Sequence, residues 1–373
     1  KLYFEFPKSL LGREFLMGSS ISATSDNTSG LVGQTMTTPL HIRFAIQEDQ
    51  VYMQNVTPVS RMDVYSNQSD ISKAVAKSNI TPDMESFKIA AYNMDSTAVV
   101  FEVTKFFLAD NKRLPLFDQN SSSLEDEKYG QLELKAVLKK NLSSIRNFYV
   151  FDDNLEINLD MSFYQSLLAS KKEVRGGNVR VKAVYSMLLL PEETMVWRLG
   201  DPRLGYTFTK KQKISTEKDG TAFSYLQHKW NLLPADEEAY RRGDLVAPRK
   251  PVVFYIDSDF PEAWKKAIKE GVNWWNEAFK MAGFKDAVQT ADFPANDTTF
   301  YAGNLKYSCI RYVPVNLSKT QSKVWVDPRS GEIINGTIFV GHDIAKTIAS
   351  QRFVQTAQVD ERMRGIQLSE EVL

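Results

Sequence analysis

The segment 251–283, "PVVFYIDSDFPEAWKKAIKEGVNWWNEAFKMAG", decides the predicted fold of this chain. Its first seven residues form an apolar run with β-branched and aromatic side chains, which is typical of a buried strand. Asp259 or Ser258 is the expected cap of a following helix, with Pro261 in the first turn and Gly283 as the stop. Apolar side chains recur at three- or four-residue spacing, at Trp264, Ile268, Val272, Trp275, Phe279 and Ala282. The spacing predicts a strand followed by a long helix that packs on a sheet.

A second stretch, "VWVDPRSGEIINGTIFVGHD" at 324–343, predicts a hairpin. A short apolar run precedes "DPRSG", in which Pro sets the second turn position and Gly accepts a positive φ. A run rich in β-branched and aromatic residues then resumes at 333–340. The last 25 residues have a mostly helical pattern.

The first two thirds of the chain are rich in predicted strands. In "NLEINLDMSFY", 154–164, the apolar residues alternate with polar ones, which predicts a half-buried strand with a polar outer face. The stretches 41–47 and 51–56 predict a hairpin around Glu48 and Asp49. By contrast, "SLEDEKYGQLELKAVLKK", 123–140, is interpreted as one helix.

The length of 373 residues favours two or more domains. Charged residues and prolines mark a boundary after residue 230. We therefore predict an α+β protein with a β-rich N-terminal region, 1–230, whose number of domains stays open. A linker, 231–250, leads to a mixed sheet with one long backing helix, 251–373.

Composition limits the classes of partner. Lys plus Arg and Asp plus Glu number 46 each, so the formal net charge is zero. This balance supplies no general attraction to nucleic acid or to anionic membranes, and we expect no nucleic-acid partner. No run of 18 apolar residues occurs, so we expect no transmembrane segment.

Residues that commonly carry chemistry are scarce. The single cysteine, Cys309, lies in a strand-like segment and is interpreted as a buried, inert thiol, because no base is evident beside it. His342 and Asp343 offer two metal ligands, whereas a zinc site requires three from the protein. His41 and His228 are isolated, so hydrogen-bonded structural histidines are the favoured interpretation. No known catalytic motif occurs, and we assign neither a catalytic residue nor a metal ligand.

Several phrases nevertheless resemble one family. They are "PVVFYID" at 251–257, "YSCIRYV" at 307–313, "VDPRSGEIINGTI" at 326–338 and "FVQTAQVD" at 353–360, together with "SLLGREFLMGSSIS" at 9–22 and "DSTAVVFEVTKFFLAD" at 95–110. In this order they are similar to the large zinc-dependent metallopeptidases, of the zincin type, that are typical of Bacteroidetes. The resemblance covers nearly the whole chain. It implies a β-rich region of unknown function ahead of the first half of a peptidase domain.

The resemblance implies a parent enzyme that hydrolyses peptides and is secreted, periplasmic or associated with the outer membrane. The parent would bind zinc on a helix with the pattern H-E-x-x-H-x-x-G-x-x-H, which would follow this chain. No residue of the chain matches a ligand of that motif, so we expect no zinc and no activity in this chain alone. The resemblance further implies an edge strand that borders the substrate cleft, here Ile334, Asn335, Gly336, Thr337, Ile338 and Phe339. Gly336 would permit a close backbone approach.

Two other functions stay open. One is a non-catalytic binding or prosegment-like module of an inactive peptidase relative. The other is a carbohydrate-binding β-domain, which would need exposed aromatic residues on one strand face. The sequence identifies neither the substrate nor the oligomeric state.

Overall fold

The structure is a computed structural model that describes residues 1–26, 30–33, 35–57, 62–64, 69–117, 124–126, 128, 130–214, 220–294, 297, 300–315, 320–357 and 359. The β-rich part contains β1 (Tyr3–Pro7), β2 (Glu14–Thr24), β3 (Leu40–Gln47), β4 (Gln50–Asn55), β5 (Met62–Val64), β6 (Asp83–Tyr92), β7 (Ala98–Glu102), β8 (Leu124–Asp126), β9 (Gly130–Leu138), β10 (Ser144–Val150), β11 (Asn154–Ala169), β12 (Lys172–Leu189), β13 (Phe208–Ile214) and β14 (Ala222–Gln227). The later strands are β15 (Val252–Ile256), β16 (Val288–Asp292), β17 (Ser308–Val313), β18 (Gln321–Val326) and β19 (Ile333–Gly341). The helices are α1 (Ser69–Ser78), α2 (Thr104–Phe107), α3 (Glu237–Arg241), α4 (Glu262–Met281) and α5 (Ile344–Thr356). The predicted α+β class is confirmed.

A large antiparallel sheet dominates the β-rich part. Its strand order is β1-β7-β6-β4-β3-β2-β12-β11-β9-β8, and β10 pairs with β11. Phe6 of β1 and Met161 of β11 belong to the same apolar core, so the sheet curls around one interior. Aromatic rings fill much of it; Phe6 and Phe44, for example, lie 4.8 Å apart between ring centroids. A separate small sheet has the order β14-β13-β5.

For the β-rich part, one prediction from the sequence is confirmed and another is wrong. The hairpin of β3 and β4 is confirmed, and Glu48 in its turn has a φ of 53°. The predicted helix over 123–140 is wrong, because this stretch contains β8 and β9. Leu132, Leu134 and Ala136 of β9 alternate with polar residues and are buried, and this period of two prevails over helix propensity.

The C-terminal part is a five-stranded mixed sheet with the order β16-β15-β17-β19-β18. β18 is antiparallel to β19, and the other neighbouring pairs are parallel. Helix α4 covers one face of this sheet. Its side chains Trp264, Ile268 and Val272 pack on a cluster that includes Ile256 and Ile310.

Helix α4 begins differently from the prediction. Pro261 is its N-cap and no side chain caps the first turn, so capping by Asp259 or Ser258 is wrong. Asp259 instead donates its main-chain N–H to the carboxylate of Asp257, at 3.2 Å. The predicted stop is confirmed, since Gly283 has a φ of 87°. Trp275 is 65% exposed because it lies at the margin of the apolar stripe, outside the part that contacts the sheet.

The segment 231–250 is ordered and packed. Asp236 caps α3 by accepting from the N–H of Ala239 at 2.9 Å. Ala239 and Val246 are buried with Phe284, which follows α4. The predicted linker therefore packs against the C-terminal part of the chain.

The two parts also share an apolar contact at β18. Trp325 is fully buried against Leu16 and Leu188 of the large sheet and against Leu190, which follows β12. Helix α5 follows β19 and agrees with the helical pattern near the C-terminus, although residues 360–373 lie outside the described residues. Among the helices of the described ranges, none is long and apolar enough to cross a membrane.

Candidate functional site

The six residues predicted as a substrate-binding edge lie within β19. The edge assignment is wrong, because β19 pairs with β17 on one side and with β18 on the other. The chain reverses after β18 and inserts β19 between β18 and β17. The outer position is therefore taken by β18, which comes first in the predicted hairpin. The hairpin itself is confirmed, with Gly331 at a φ of 80°.

The direction of one hydrogen bond defines the free edge. Gly336 donates its N–H to the Ser308 hydroxyl of β17 at 3.1 Å, so its main-chain polar groups point away from β18. In an antiparallel pair, its partner Val324 must then direct its own N–H and C=O away from β19. The same alternation applies to Ser322. Ser322 and Val324 are exposed, so β18 presents an open strand edge within the described structure.

No described group packs so closely on the backbone of Gly336 that a side chain there would be excluded. A Cβ at this position would lie 3.6 Å from the ring of Trp230, which is an ordinary van der Waals distance. The expected need for glycine there is therefore not supported by the packing around it.

Beside this edge, a cleft of about 560 Å³ lies between the large sheet and the mixed sheet. Asn335, Thr337 and Phe339 of the predicted six line it, because alternate side chains of β19 point to that face. Asn335 also shapes the cleft wall. Its side-chain amide donates to the carbonyls of Leu305 and Tyr307, at 2.9 and 2.8 Å, and fixes the loop between β16 and β17.

The cleft contains a buried carboxylate, Glu156, that belongs to the large sheet. Glu156 is 5% exposed and accepts hydrogen bonds from the Tyr301 hydroxyl and from Asn158, the latter at 2.9 Å. A Cβ on Gly303 would lie 2.3 Å from the Glu156 carboxylate, so a larger residue there would require the carboxylate to shift. Burial and the Glu156 charge raise the pKa of Tyr301, which keeps its hydroxyl protonated as a donor.

Two cations face the same cleft. Lys323 of β18 is 9% exposed, and its ammonium donates to the Ser20 hydroxyl at 3.3 Å. Burial lowers the pKa of Lys323 to about 8; the charge of Glu156 acts in the opposite direction, and that of Arg311 adds to the lowering. The Arg311 guanidinium lies 5.8 Å from the centroid of the Phe339 ring.

Sequence reasoning missed Glu156 and Lys323. The alternation of β11 places Glu156 on the polar face, which was expected to face solvent, and the mixed sheet covers that face. Asn154 on the same face is 5% exposed and donates to Asn304 at 3.0 Å across the boundary between the two parts. No local pattern indicates that a segment about 150 residues later in the chain covers this strand.

Cys309 and the histidines occupy structural positions. Cys309 is fully buried, and burial raises the pKa of its thiol to about 12, which agrees with the predicted buried thiol. His41 contacts the Glu14 carboxylate at 2.8 Å, and His228 contacts two threonine hydroxyls. His342 contacts the hydroxyl of Tyr312 at 2.5 Å.

The residues that the structure describes bring together no group of three or more His, Cys, Asp or Glu side chains able to hold a metal ion. The zinc expected for the parent enzyme therefore has no matching ligand set on these residues.

Comparison with known families provides an independent view of the β-rich part. A family described as "Domain of unknown function (DUF5117)" matches residues 33–235, which is more than half of the chain. The chain belongs to the DUF5117 family. A second family, "Domain of unknown function (DUF5118)", matches residues 1–24. No curated protein and no solved structure shows a match.

The cleft combines segments inside and outside these matches. Ser20 lies in the DUF5118 match and Glu156 in the DUF5117 match, whereas Lys323 and Arg311 lie beyond both. The cleft thus depends on docking of the family domain against the mixed sheet.

Proposed function

We propose that this chain is the N-terminal part of a secreted or envelope zinc-dependent metallopeptidase. Its own part in peptide hydrolysis would be to bind the substrate as an extended strand along β18. The open edge of β18 carries the proposal, because an unpaired strand edge is a template for a further strand. This moves the expected substrate-binding edge from residues 334–339 to 321–326.

The residue phrases that resemble such peptidases support the peptidase assignment. The architecture of the C-terminal part agrees with this resemblance, because its mixed sheet is backed on one face by the 20-residue helix α4. Zinc, when bound by a parent enzyme, would polarise the scissile carbonyl and activate water. The described residues supply no ligand set for it, so we derive no hydrolytic step from this chain.

The main chain of β18 would supply the affinity for a peptide, and side chains on its two faces would supply selectivity. Alternate side chains of a bound strand would point toward the face of Lys323, beside the cleft. The others would point toward the face of Val324, which is 41% exposed. One row of substrate side chains would therefore meet a charged, enclosed surface and the other an open one.

The variant Val324→Pro tests this directly. Proline removes the outward N–H of residue 324, while the pairing with β19 does not use that group. Loss of one main-chain hydrogen bond should weaken binding of fluorescein-labelled unstructured peptides about tenfold in fluorescence anisotropy. Val324→Thr keeps the N–H and a similar shape, so it should bind as the unchanged protein does. Equal binding by both variants, or no peptide binding by the unchanged chain, would refute the proposal.

The alternative is a non-catalytic or prosegment-like module. Such a module would also bind peptides at the edge of β18, but it would not belong to an active peptidase. One observation favours it: the β-rich part already covers a face of the mixed sheet through Trp325. The codons that follow Leu373 in the encoding gene distinguish the two. An H-E-x-x-H pattern with a third histidine favours the peptidase, and codons that encode other residues favour the module.

A further inference from the structure

The cleft between the two parts of the chain holds two cations, Lys323 and Arg311, and one anion, Glu156. Neither Lys323 nor Arg311 forms an ion pair with any carboxylate of the described residues. Lys323 has a hydroxyl as its polar partner and also lies 5.1 Å from the centroid of the Trp325 ring. Buried cations are normally paired, because the desolvation of a charge is unfavourable unless another charge or several hydrogen bonds compensate for it.

Glu156 is not in direct contact with Lys323 or Arg311 as an ion-pair partner. Its carboxylate accepts from Tyr301 and Asn158, and it makes no ion pair with either cation. Two positive charges and one negative charge leave the cleft with a net charge of +1. One further negative charge would therefore neutralise the three groups, whereas a dianion would leave an excess negative charge beside Glu156.

The cleft has the dimensions of a small-molecule site. Its volume of about 560 Å³ falls within the usual range for such sites. Tyr301, Phe300 and Tyr307 provide aromatic surface on one wall, and Asn335 and Thr337 provide polar groups on another. This combination suits a ligand with one anionic group and an uncharged, partly apolar body.

We propose that the cleft is a binding site for a carboxylate monoanion, held by Lys323 and Arg311. The carboxylate would accept from the Lys323 ammonium and the Arg311 guanidinium, and the ligand body would lie against the aromatic wall. Two sources offer this chemistry: a free organic acid, or a carboxylate of a peptide. The site is independent of strand addition at β18, because it uses side chains rather than the outward main-chain groups.

Calorimetric titration of the full chain tests the proposal with four probes: benzoate, inorganic phosphate, a tripeptide with a free C-terminus, and the same tripeptide with an amidated C-terminus. Benzoate should bind, and phosphate should bind more weakly than benzoate at neutral pH. Binding of benzoate but not of the free-acid tripeptide identifies a small organic acid as the source. Preference for the free-acid tripeptide over its amide and over benzoate identifies a peptide carboxylate.

Lys323→Met removes the charge but keeps the length of the side chain, and it should weaken binding at least tenfold. The same variant should raise the thermal denaturation temperature, because an unpaired buried charge is lost. Lys306→Met is the matched control, since Lys306 is exposed and lies outside the cleft lining; it should bind as the unchanged protein does.

Three results would overturn the proposal: no binding of either carboxylate, equal binding by the unchanged protein and Lys323→Met, or tighter binding of phosphate than of carboxylate. Benzoate has no main chain that could pair with β18, so its binding reports on this site alone, and failure of peptide binding at β18 remains distinguishable from failure of this site.

Discussion

Arg329 binds the Asp327 carboxylate at two points within the turn between β18 and β19. Nε lies 3.0 Å from Oδ1 and Nη2 lies 2.7 Å from Oδ2. The same Nη2 donates to the carbonyl of Pro191 at 2.7 Å, in the β-rich part. Asp327 is fully buried. The pair therefore fixes the turn and connects the mixed sheet to the large sheet.

Removal of one partner of this pair should destabilise the protein strongly. Asp327→Ala leaves the largely buried Arg329 guanidinium without its carboxylate, and we expect a loss of about 3 kcal/mol in the free energy of unfolding. Urea denaturation measures it. Glu277→Ala is the control, because its ion pair with Lys280 is exposed to solvent and should change stability very little. Similar losses for both variants would contradict a structural role for the buried pair.

The end of the same turn depends on glycine. Gly331 has a φ of 80°, and a Cβ there would lie 2.5 Å from the Gln227 carbonyl oxygen of β14. Gly331→Ala should therefore combine backbone strain with a steric clash and destabilise the protein by about 3 kcal/mol. Gly243→Ala isolates the strain, since Gly243 has a φ of 90° with open space around its Cβ position. Its cost should be about 1 kcal/mol. Equal costs in thermal denaturation would show that the clash at Gln227 is relieved by movement.

Trp325 should stabilise the contact between the two parts through its volume rather than through a hydrogen bond. Its indole N–H is buried, and no described residue accepts a hydrogen bond from it. Trp325→Phe should therefore cost about 1 kcal/mol, whereas Trp325→Ala should cost about 4 kcal/mol because it leaves a cavity among leucines. Denaturant titration compares the two. Trp274→Ala, at a position 75% exposed, is the control and should be nearly neutral.

Acid should weaken the contact between Glu14 and His41. Burial raises the pKa of the Glu14 carboxyl, but the hydrogen bond from His41 and the charges of His41, Arg329 and Arg43 outweigh it. The pKa is thus below the usual 4.5. A carboxyl with a lowered folded-state pKa stabilises the protein above its unfolded pKa, and this contribution is lost as the pH falls through the folded pKa.

We therefore expect the free energy of unfolding to decrease as the pH falls through and below the usual value for glutamate. Glu14→Gln should lose less stability over this interval than the unchanged protein does. Glu85→Gln, at an exposed position on β6, is the control. Denaturant titrations at a series of acidic pH values check this; identical pH profiles for Glu14→Gln and the unchanged protein would disprove the assignment.

The local periodicity of apolar residues was sufficient to predict many of the strands and helices. The alternation in β11 identified a buried face, and Ile157, Leu159, Met161 and Phe163 are indeed buried. The apolar spacing after Pro261 identified α4 and its end at Gly283. Such patterns succeed because the period of side-chain direction is a property of the strand or helix itself. The failure over 123–140 shows the limit, since a charged, strand-forming segment was interpreted as a helix.

The candidate site depended on contacts that no local pattern contains. The sequence alone determined that residues 324–340 form a hairpin with a tight turn, because "DPRSG" specifies the reversal. Only the tertiary structure decided that β18 rather than β19 lies at the edge, since this requires pairing of β19 with β17. The burial of Glu156 likewise arises because the mixed sheet docks on the polar face of β11. Strand order and domain docking are set by long-range packing, so the open edge of β18 and the buried position of Glu156 appear only in the tertiary structure.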